Sequence, residues 1–244
     1  ASYQKALAIQ PNLADVWNNL GTVFQKLNQY EDAIKSFEKA YSINPEIDYV
    51  LGNILGAKIN CCDWNGLEEL LVDAKKRIIN NEKVIDSHTL TGLIDNPALQ
   101  RKTAELFTQY HYPKKKSLSL IGPYPKHRKI RIGYFSADFR EHPVGFLTAE
   151  LYELHDQENF EIHAFFLDPE STIDHINLRI KSGVNYFHDM KSMSHQEIFD
   201  QARSLEIDIA IDLGGFTHES RTDVFAMSAA PIQLSYIGYL GTMG

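Results

Sequence analysis

The residues best equipped for chemistry lie in the second half of the chain, and His142 is the first of them. It follows a short apolar run, Ile130 to Ser136, and stands just before an apolar helical pattern. An imidazole changes charge near neutrality, so it can take a proton from a hydroxyl or donate a hydrogen bond to an oxygen. The same ring can also serve only to cap backbone groups at a loop. Asp138, four residues earlier, can orient that loop or close a turn. Thr217 and the Gly241-Thr242-Met243-Gly244 run offer hydroxyls and small residues that let backbone amides approach a phosphate or other polar ligand. Tight turns need glycines too, so that reading stays open. His163 falls in the middle of an apolar run and reads as a packed side chain.

These candidates need a scaffold, and the periodicity from Lys129 onward supplies one. Five short apolar runs read as strands: Ile130 to Ser136, Phe160 to Leu167, Asn185 to His188, Ile207 to Leu213 and Ile232 to Ile237. Helical patterns separate them, at Phe146 to His155, Asp174 to Lys181, Ser194 to Leu205 and Arg221 to Ser228. Ser194 with Glu197 forms a capping box at one helix start. Strict alternation predicts a Rossmann-like parallel sheet covered on both faces. Asp138, the His142 loop, Thr217 and the Gly238 to Gly244 stretch then all follow strand C-termini, the edge where such sheets bind ligands. There is no G-x-G-x-x-G and no G-x-x-x-x-G-K-[ST], which argues against a dinucleotide or P-loop site.

The front of the chain is built differently. Tyr3, Ala6 and Pro11 recur at Phe37, Ala40 and Pro45, each 34 residues later. Trp17, Leu20, Gly21, Phe24 and Ala33 lie between. That is the tetratricopeptide pattern, with Phe24 at the usual tyrosine. Gly21 and Ala33 are small where two antiparallel helices must approach, and Pro45 stops the second helix. Residues 46 to about 110 remain helical in pattern, punctuated by Asn65-Gly66, Asp95-Asn96-Pro97 and Tyr112-Pro113. The expected organisation is a partial and a full repeat over 1–45, helical linker over 46–126 with its likeliest linker point at Pro123 and Pro125, and a sheet lobe over 127–244. Because residues 1 to 12 read as the second helix of an earlier repeat, further repeats are expected upstream in a longer protein.

Composition narrows the function. A net charge of −8 argues against a general nucleic-acid binder. One basic stretch, Lys114, Lys115, Lys116, Lys126, Arg128, Lys129 and Arg131, reads as a solvated linker. Cys61 and Cys62 are adjacent and show no zinc spacing, so a reducing cytoplasm fits best and no metal is expected. No apolar run reaches membrane-spanning length.

Four stretches, in order, carry a family resemblance: Cys62-Asp63-Trp64; Arg131-Ile-Gly-Tyr-Phe-Ser-Ala-Asp-Phe-Arg-Glu-His-Pro-Val; Asp212-Leu-Gly-Gly-Phe-Thr with Arg221 and Phe225-Ala; and Ala230-Pro-Ile-Gln running on to Gly238-Tyr-Leu-Gly-Thr-Met-Gly244. Behind a tetratricopeptide repeat they resemble the O-linked N-acetylglucosamine transferase/SPINDLY family, in its bacterial-type form. The resemblance implies the N-terminal half of a GT-B fold, and inverting, metal-independent transfer of a sugar to Ser or Thr of proteins. It implies a nucleotide-sugar donor rather than a cofactor, UDP-N-acetylglucosamine by default and GDP-fucose in the SPINDLY-like branch, held mainly by a second lobe. Acceptor proteins or peptides would follow the repeat groove. It makes His142 and Asp200 the catalytic candidates, Asp200 standing where the family commonly carries an acid, with Asp138, Thr217, Gly241, Thr242 and Gly244 toward substrate. Gly214, Ser228-Ala229 and Leu240 depart from the family's usual residues. Those departures motivate the alternative of a repeat-based binding module with a decayed transferase lobe.

Overall fold

The computed structural model describes residues 2–113, 121, 124, 125, 127–217 and 219–244. Lys114, Lys115, Lys116, Pro123 and Lys126 of the basic linker stretch lie outside the described residues. The chain forms two compact units, residues 1–110 with Gly244 and residues 111–243.

The first unit is helical: α1 (Ser2–Ile9), α2 (Ala14–Lys26), α3 (Tyr30–Ile43), α4 (Val50–Asn60), α5 (Leu67–Ile79), α6 (Ser87–Thr91) and α7 (Pro97–His111), whose last residue falls in the second unit. The repeat signature shows its cause directly. A Cβ on Gly21 would sit 2.6 Å from the Phe37 ring, so only glycine lets α2 close on α3. Ala33, Phe37 and Ala40 are fully buried at that seam. Asn28, in the left-handed region, turns the chain between the helices, and α3 stops two residues before Pro45. The Asp63-Trp64 stretch is also structural. Lys58, almost wholly buried, donates to Asp63 Oδ2 at 2.5 Å and to the Asn65 carbonyl at 2.9 Å. That ammonium holds the Asp63 carboxyl below its usual range and closes the turn into α5.

The second unit is a five-stranded sheet in the order β3-β2-β1-β4-β5, with β1 (Ile130–Ser136), β2 (Phe160–Phe166), β3 (Tyr186–Asp189), β4 (Ile209–Asp212) and β5 (Ile232–Ser235). Every pairing is parallel. α8 (Pro143–Glu153) and α9 (His175–Gly183) contribute to one core with Phe139, Tyr152 and Phe166. α10 (His195–Ser204) and α11 (Thr222–Ala226) contribute to the other, around Phe135 and Phe165. Those two rings stack at 4.2 Å and 2°. The helix order, α8 and α9 on one face and α10 and α11 on the other, is what a doubly wound sheet requires.

Boundaries differ from the sequence expectation where side chains replace backbone partners. β4 is shorter than Ile207 to Leu213 because the Ile207 amide closes the end of α10 on the Ala202 carbonyl, and Asp208 gives its carboxylate to the Arg131 amide. β5 ends before Ile237, which adopts a left-handed φ of 51°. Helix α8 begins three residues earlier than the apolar pattern suggests. His142 is its N-cap and Pro143 takes the first helical position, where a missing N–H costs nothing.

Candidate functional site

β1, β4 and β5 lie side by side, so the loops after Ser136, Asp212 and Ser235 emerge next to one another at the C-terminal edge. This brings three of the sequence motifs together.

The first loop is held rigidly. Ser136 Oγ accepts from the Asp138 amide at 2.9 Å. Asn177 of α9 donates to the Phe139 carbonyl at 2.8 Å, and Asp174 accepts from the Glu141 amide at 2.6 Å. Gly145 is required because any Cβ there would overlap the Arg140 carbonyl oxygen. On this platform His142 projects at the start of α8, its side chain 38 % exposed and that of Asp138 16 % exposed. His142 Nδ1 accepts from the Val144 amide at 3.3 Å, and Asp138 Oδ2 stands 3.6 Å from the same nitrogen. These two contacts demand opposite protonation of Nδ1. With the Val144 bond made, the neutral ring carries its proton on Nε2 and presents a donor. With Nδ1–H turned to Asp138, Nε2 becomes a proton acceptor. Arg140 reaches the other Asp138 oxygen at 3.4 Å.

The second loop is organised by Asp212, a residue the sequence placed in a motif but not among the site candidates. Its carboxylate accepts from the Gly214 amide at 2.8 Å and the Gly215 amide at 3.1 Å. Burial raises its carboxyl above the ordinary value, against the lowering effect of those two N–H groups. The signal available in sequence was an acid followed two and three residues later by glycines, the pattern of an Asx turn. Gly215 has φ +58°, and a Cβ would overlap Tyr239. Thr217 turns its hydroxyl inward, donating to the Gly214 carbonyl at 2.7 Å. Phe216 packs between Tyr112, parallel at 6.2 Å, and Tyr239, edge-on at 5.3 Å.

The third loop is threaded against the second. A Cβ on Gly238 would overlap the Leu213 carbonyl oxygen, and one on Gly241 would lie 2.6 Å from the Tyr239 hydroxyl. Thr242 follows directly. Gly244 groups instead with the first unit, where a Cβ would meet the Ala104 carbonyl oxygen at 2.8 Å. Asp200 also lies apart from the cluster. It is on the solvent side of α10, five residues or about 7.5 Å into the helix, and accepts from Gln196 at 3.0 Å. The structure therefore gathers Asp138, His142, Thr217 and Gly241 at one edge, while Asp200 stands on a solvated helix face. Among the described residues no group of three or more His, Cys, Asp or Glu side chains can hold a metal ion, and no helix is long and apolar enough to cross a membrane.

Comparison with known proteins accords with this architecture. The sequence profile of glycosyl transferase family 41 matches residues 99–244, and that of the tetratricopeptide repeat matches residues 14–47. A probable UDP-N-acetylglucosamine–peptide N-acetylglucosaminyltransferase SEC of Arabidopsis thaliana is 37% identical over 117 residues, 48% of this chain and 12% of the relative. The corresponding transferase of Caenorhabditis elegans is 31% identical over 120 residues, 48% of this chain and 10% of the relative. A SPINDLY protein of Hordeum vulgare is 25% identical over 169 residues, 68% of this chain and 16% of the relative. The chain thus spans only a small part of the curated relatives' length. A mutant O-GlcNAc transferase of Thermobaculum terrenum shares the fold, with a TM-score of 0.59 at 21% identity, over 98% of this chain and 46% of that one. With the family profile covering more than half its length, and a tetratricopeptide repeat ahead of a parallel sheet, this chain belongs to glycosyl transferase family 41.

Proposed function

We propose that this chain carries the N-terminal catalytic lobe of a protein O-GlcNAc transferase, which moves N-acetylglucosamine from UDP-N-acetylglucosamine to Ser or Thr hydroxyls with inversion at the anomeric carbon. The observation that carries the reading is the convergence of the Asp138–His142, Asp212–Thr217 and Tyr236–Thr242 loops at the C-terminal edge of three adjacent parallel strands. The donor assignment rests on relatives that are named as UDP-N-acetylglucosamine–peptide transferases.

In this reading inversion needs one displacement. The acceptor oxygen attacks the anomeric carbon, the bond to the UDP oxygen breaks, and the acceptor proton goes to a base. His142 can bind or accept through Nε2. With Val144 on Nδ1, Nε2–H donates to a donor-sugar or phosphate oxygen; with Nδ1–H on Asp138, Nε2 takes the acceptor proton. Acceptor proteins would run along the open groove of the repeat, about 670 Å³, where Trp17, Leu20 and Phe24 face Lys35 and Lys39.

The test is a transfer assay on the full-length protein, with UDP-N-acetylglucosamine and GDP-fucose side by side and Ser/Thr peptides as acceptors. Turnover of UDP-N-acetylglucosamine, lost in His142→Ala, is expected. Turnover of GDP-fucose alone reassigns the donor. Silence with both donors, in a folded protein, moves the reading to a repeat-based binding module.

A further inference from the structure

A second cleft in the sheet unit is separate in its residues from the three loops above. It encloses about 350 Å³ between the start of α10, helix α11 and residues 111 to 113, within the size range of small-ligand sites, roughly 300–1,000 Å³. Ala226, Met227 and Pro113 give it an apolar floor, and His111 and Tyr112 contribute aromatic rings.

Its polar groups are one-sided. His195 Nδ1 lies 3.0 Å from Asp223 Oδ2, which fixes the ring with Nδ1–H toward the carboxylate and leaves Nε2 as an acceptor. The second Asp223 oxygen has no hydrogen-bond partner among the described residues. Gln196 gives its amide nitrogen to Asp200 at 3.0 Å, so the amide oxygen is the end left over. Among the described residues the local charge is negative. Asp223 lines the cleft, Asp200 stands behind Gln196, and Glu197 is engaged in the capping box. Arg221, a neighbouring cation among those residues, is turned to the Met193 carbonyl at 3.5 Å. Acceptors, a carboxylate and aromatic rings together suit a planar cation that donates in several directions and packs its faces on apolar groups.

We propose that this cleft is a binding site for a guanidinium group, an arginine side chain of a peptide or protein partner. Asp223 is its ion-pairing residue, with Gln196 and His195 as flanking acceptors. Binding here needs neither sugar donor nor transfer, so it stands or falls independently of the transferase reading.

The probe is N-acetyl-arginine-N-methylamide, titrated into the full chain carrying methionine methyl-¹³C, with the Met227 methyl as reporter. Saturable movement of that signal with a dissociation constant of about 1 mM or tighter is expected. The citrulline analogue, equal in shape but uncharged, should bind about tenfold more weakly. Asp223→Asn should lower arginine affinity about tenfold, and Ala226→Leu, which fills the cleft, should abolish it. Equal binding of arginine and citrulline, or of N-acetylglucosamine in place of both, overturns the proposal. So does a Met227 methyl unmoved by arginine while the chain is folded.

Discussion

Acid should loosen the sheet unit through one pair of stacked rings, the first buried and the second half-buried. His163 of β2, only 3 % exposed, stacks on His188 of β3 at 5.3 Å and 7°, with Nδ1 of the first 3.0 Å from Nε2 of the second. Gln201 Nε2 lies 3.4 Å from His188 Nδ1, and Glu161 Oε1 lies 3.1 Å from both His163 Nε2 and Arg131 Nε. An amide nitrogen only donates and a carboxylate only accepts. One direction of protons, from Gln201 through both rings to Glu161, therefore satisfies every atom with both histidines neutral. A further proton on His188 would face the Gln201 N–H and break that order.

Burial, and then the adjoining His163, push His188 down to about 4, against roughly 6.5 unfolded. For a base whose folded value is depressed, nothing is lost above pH ~6.5. As pH falls from there toward 4, the unfolded chain takes the proton first and stability drops. From about pH 7.5 to about pH 4.5 this ring alone removes about 2.5 kcal/mol. His163, lowered mainly by burial against the raising effect of Glu161, and His155, lowered by burial, act in the same direction. His127 acts oppositely. Hydrogen bonds to Glu206 and then Asp208 raise it, so its contribution is complete below pH ~6.5 and fades as pH rises through the folded value.

The comparison of parent with His188→Gln cancels His155 and His127 and reads His188 together with its coupled partner His163. Urea unfolding by far-UV circular dichroism, with hydrogen exchange read on β2 and β3, should show the variant weaker near neutrality by about 1–2 kcal/mol. Its further loss on acidification should be smaller than the parent's by about 2 kcal/mol. Equal acid losses in the two proteins would refute the argument.

Gly238→Ala should destabilise the sheet unit by about 3 kcal/mol or more in thermal or urea unfolding, since its Cβ overlaps the Leu213 carbonyl oxygen. Gly21→Ala should cost the repeat about 1–3 kcal/mol, read from Trp17 fluorescence, because the Phe37 ring must leave its packed position. On the proposed transferase reading, His142→Ala in the full-length protein should lower kcat by about 10²–10⁴-fold if the ring accepts the proton, and raise KM chiefly if it only binds. Asp138→Asn separates the two protonation states. A base role predicts a loss of kcat approaching that of His142→Ala, whereas a donor role through Nε2–H predicts little change.

The parts of this molecule legible in sequence are those where a single residue type answers a local demand. Gly21 and Ala33 marked the closest approach of two helices, and alternating apolar runs marked five strands, because sterics and periodicity are written one residue at a time. Strand ends were less legible, since they depend on partners distant in sequence. Asp208 takes the Arg131 amide, 77 residues away, and Asn185 Oδ1 takes the Ile162 amide at 2.7 Å, so side chains finish what a backbone ladder would have continued.

The site divides along the same line. His142 announced itself by residue type, but its place as the cap of α8 came from Pro143 and from Gly145 yielding room to the Arg140 carbonyl. Asp212 stayed in the background because its two partners are backbone amides, marked in sequence only by the two glycines that follow it. Asp200 carried a family position and no local signature, and the fold leaves it on a solvated helix face. The His163–His188 pair was the least legible of all. His163 alone reads as a packed strand residue and His188 as the end of a strand run, and only the parallel register of β2 on β3 puts the two rings within one proton of each other. What sequence conceals here is adjacency, and in a parallel sheet adjacency is decided by crossovers tens of residues long.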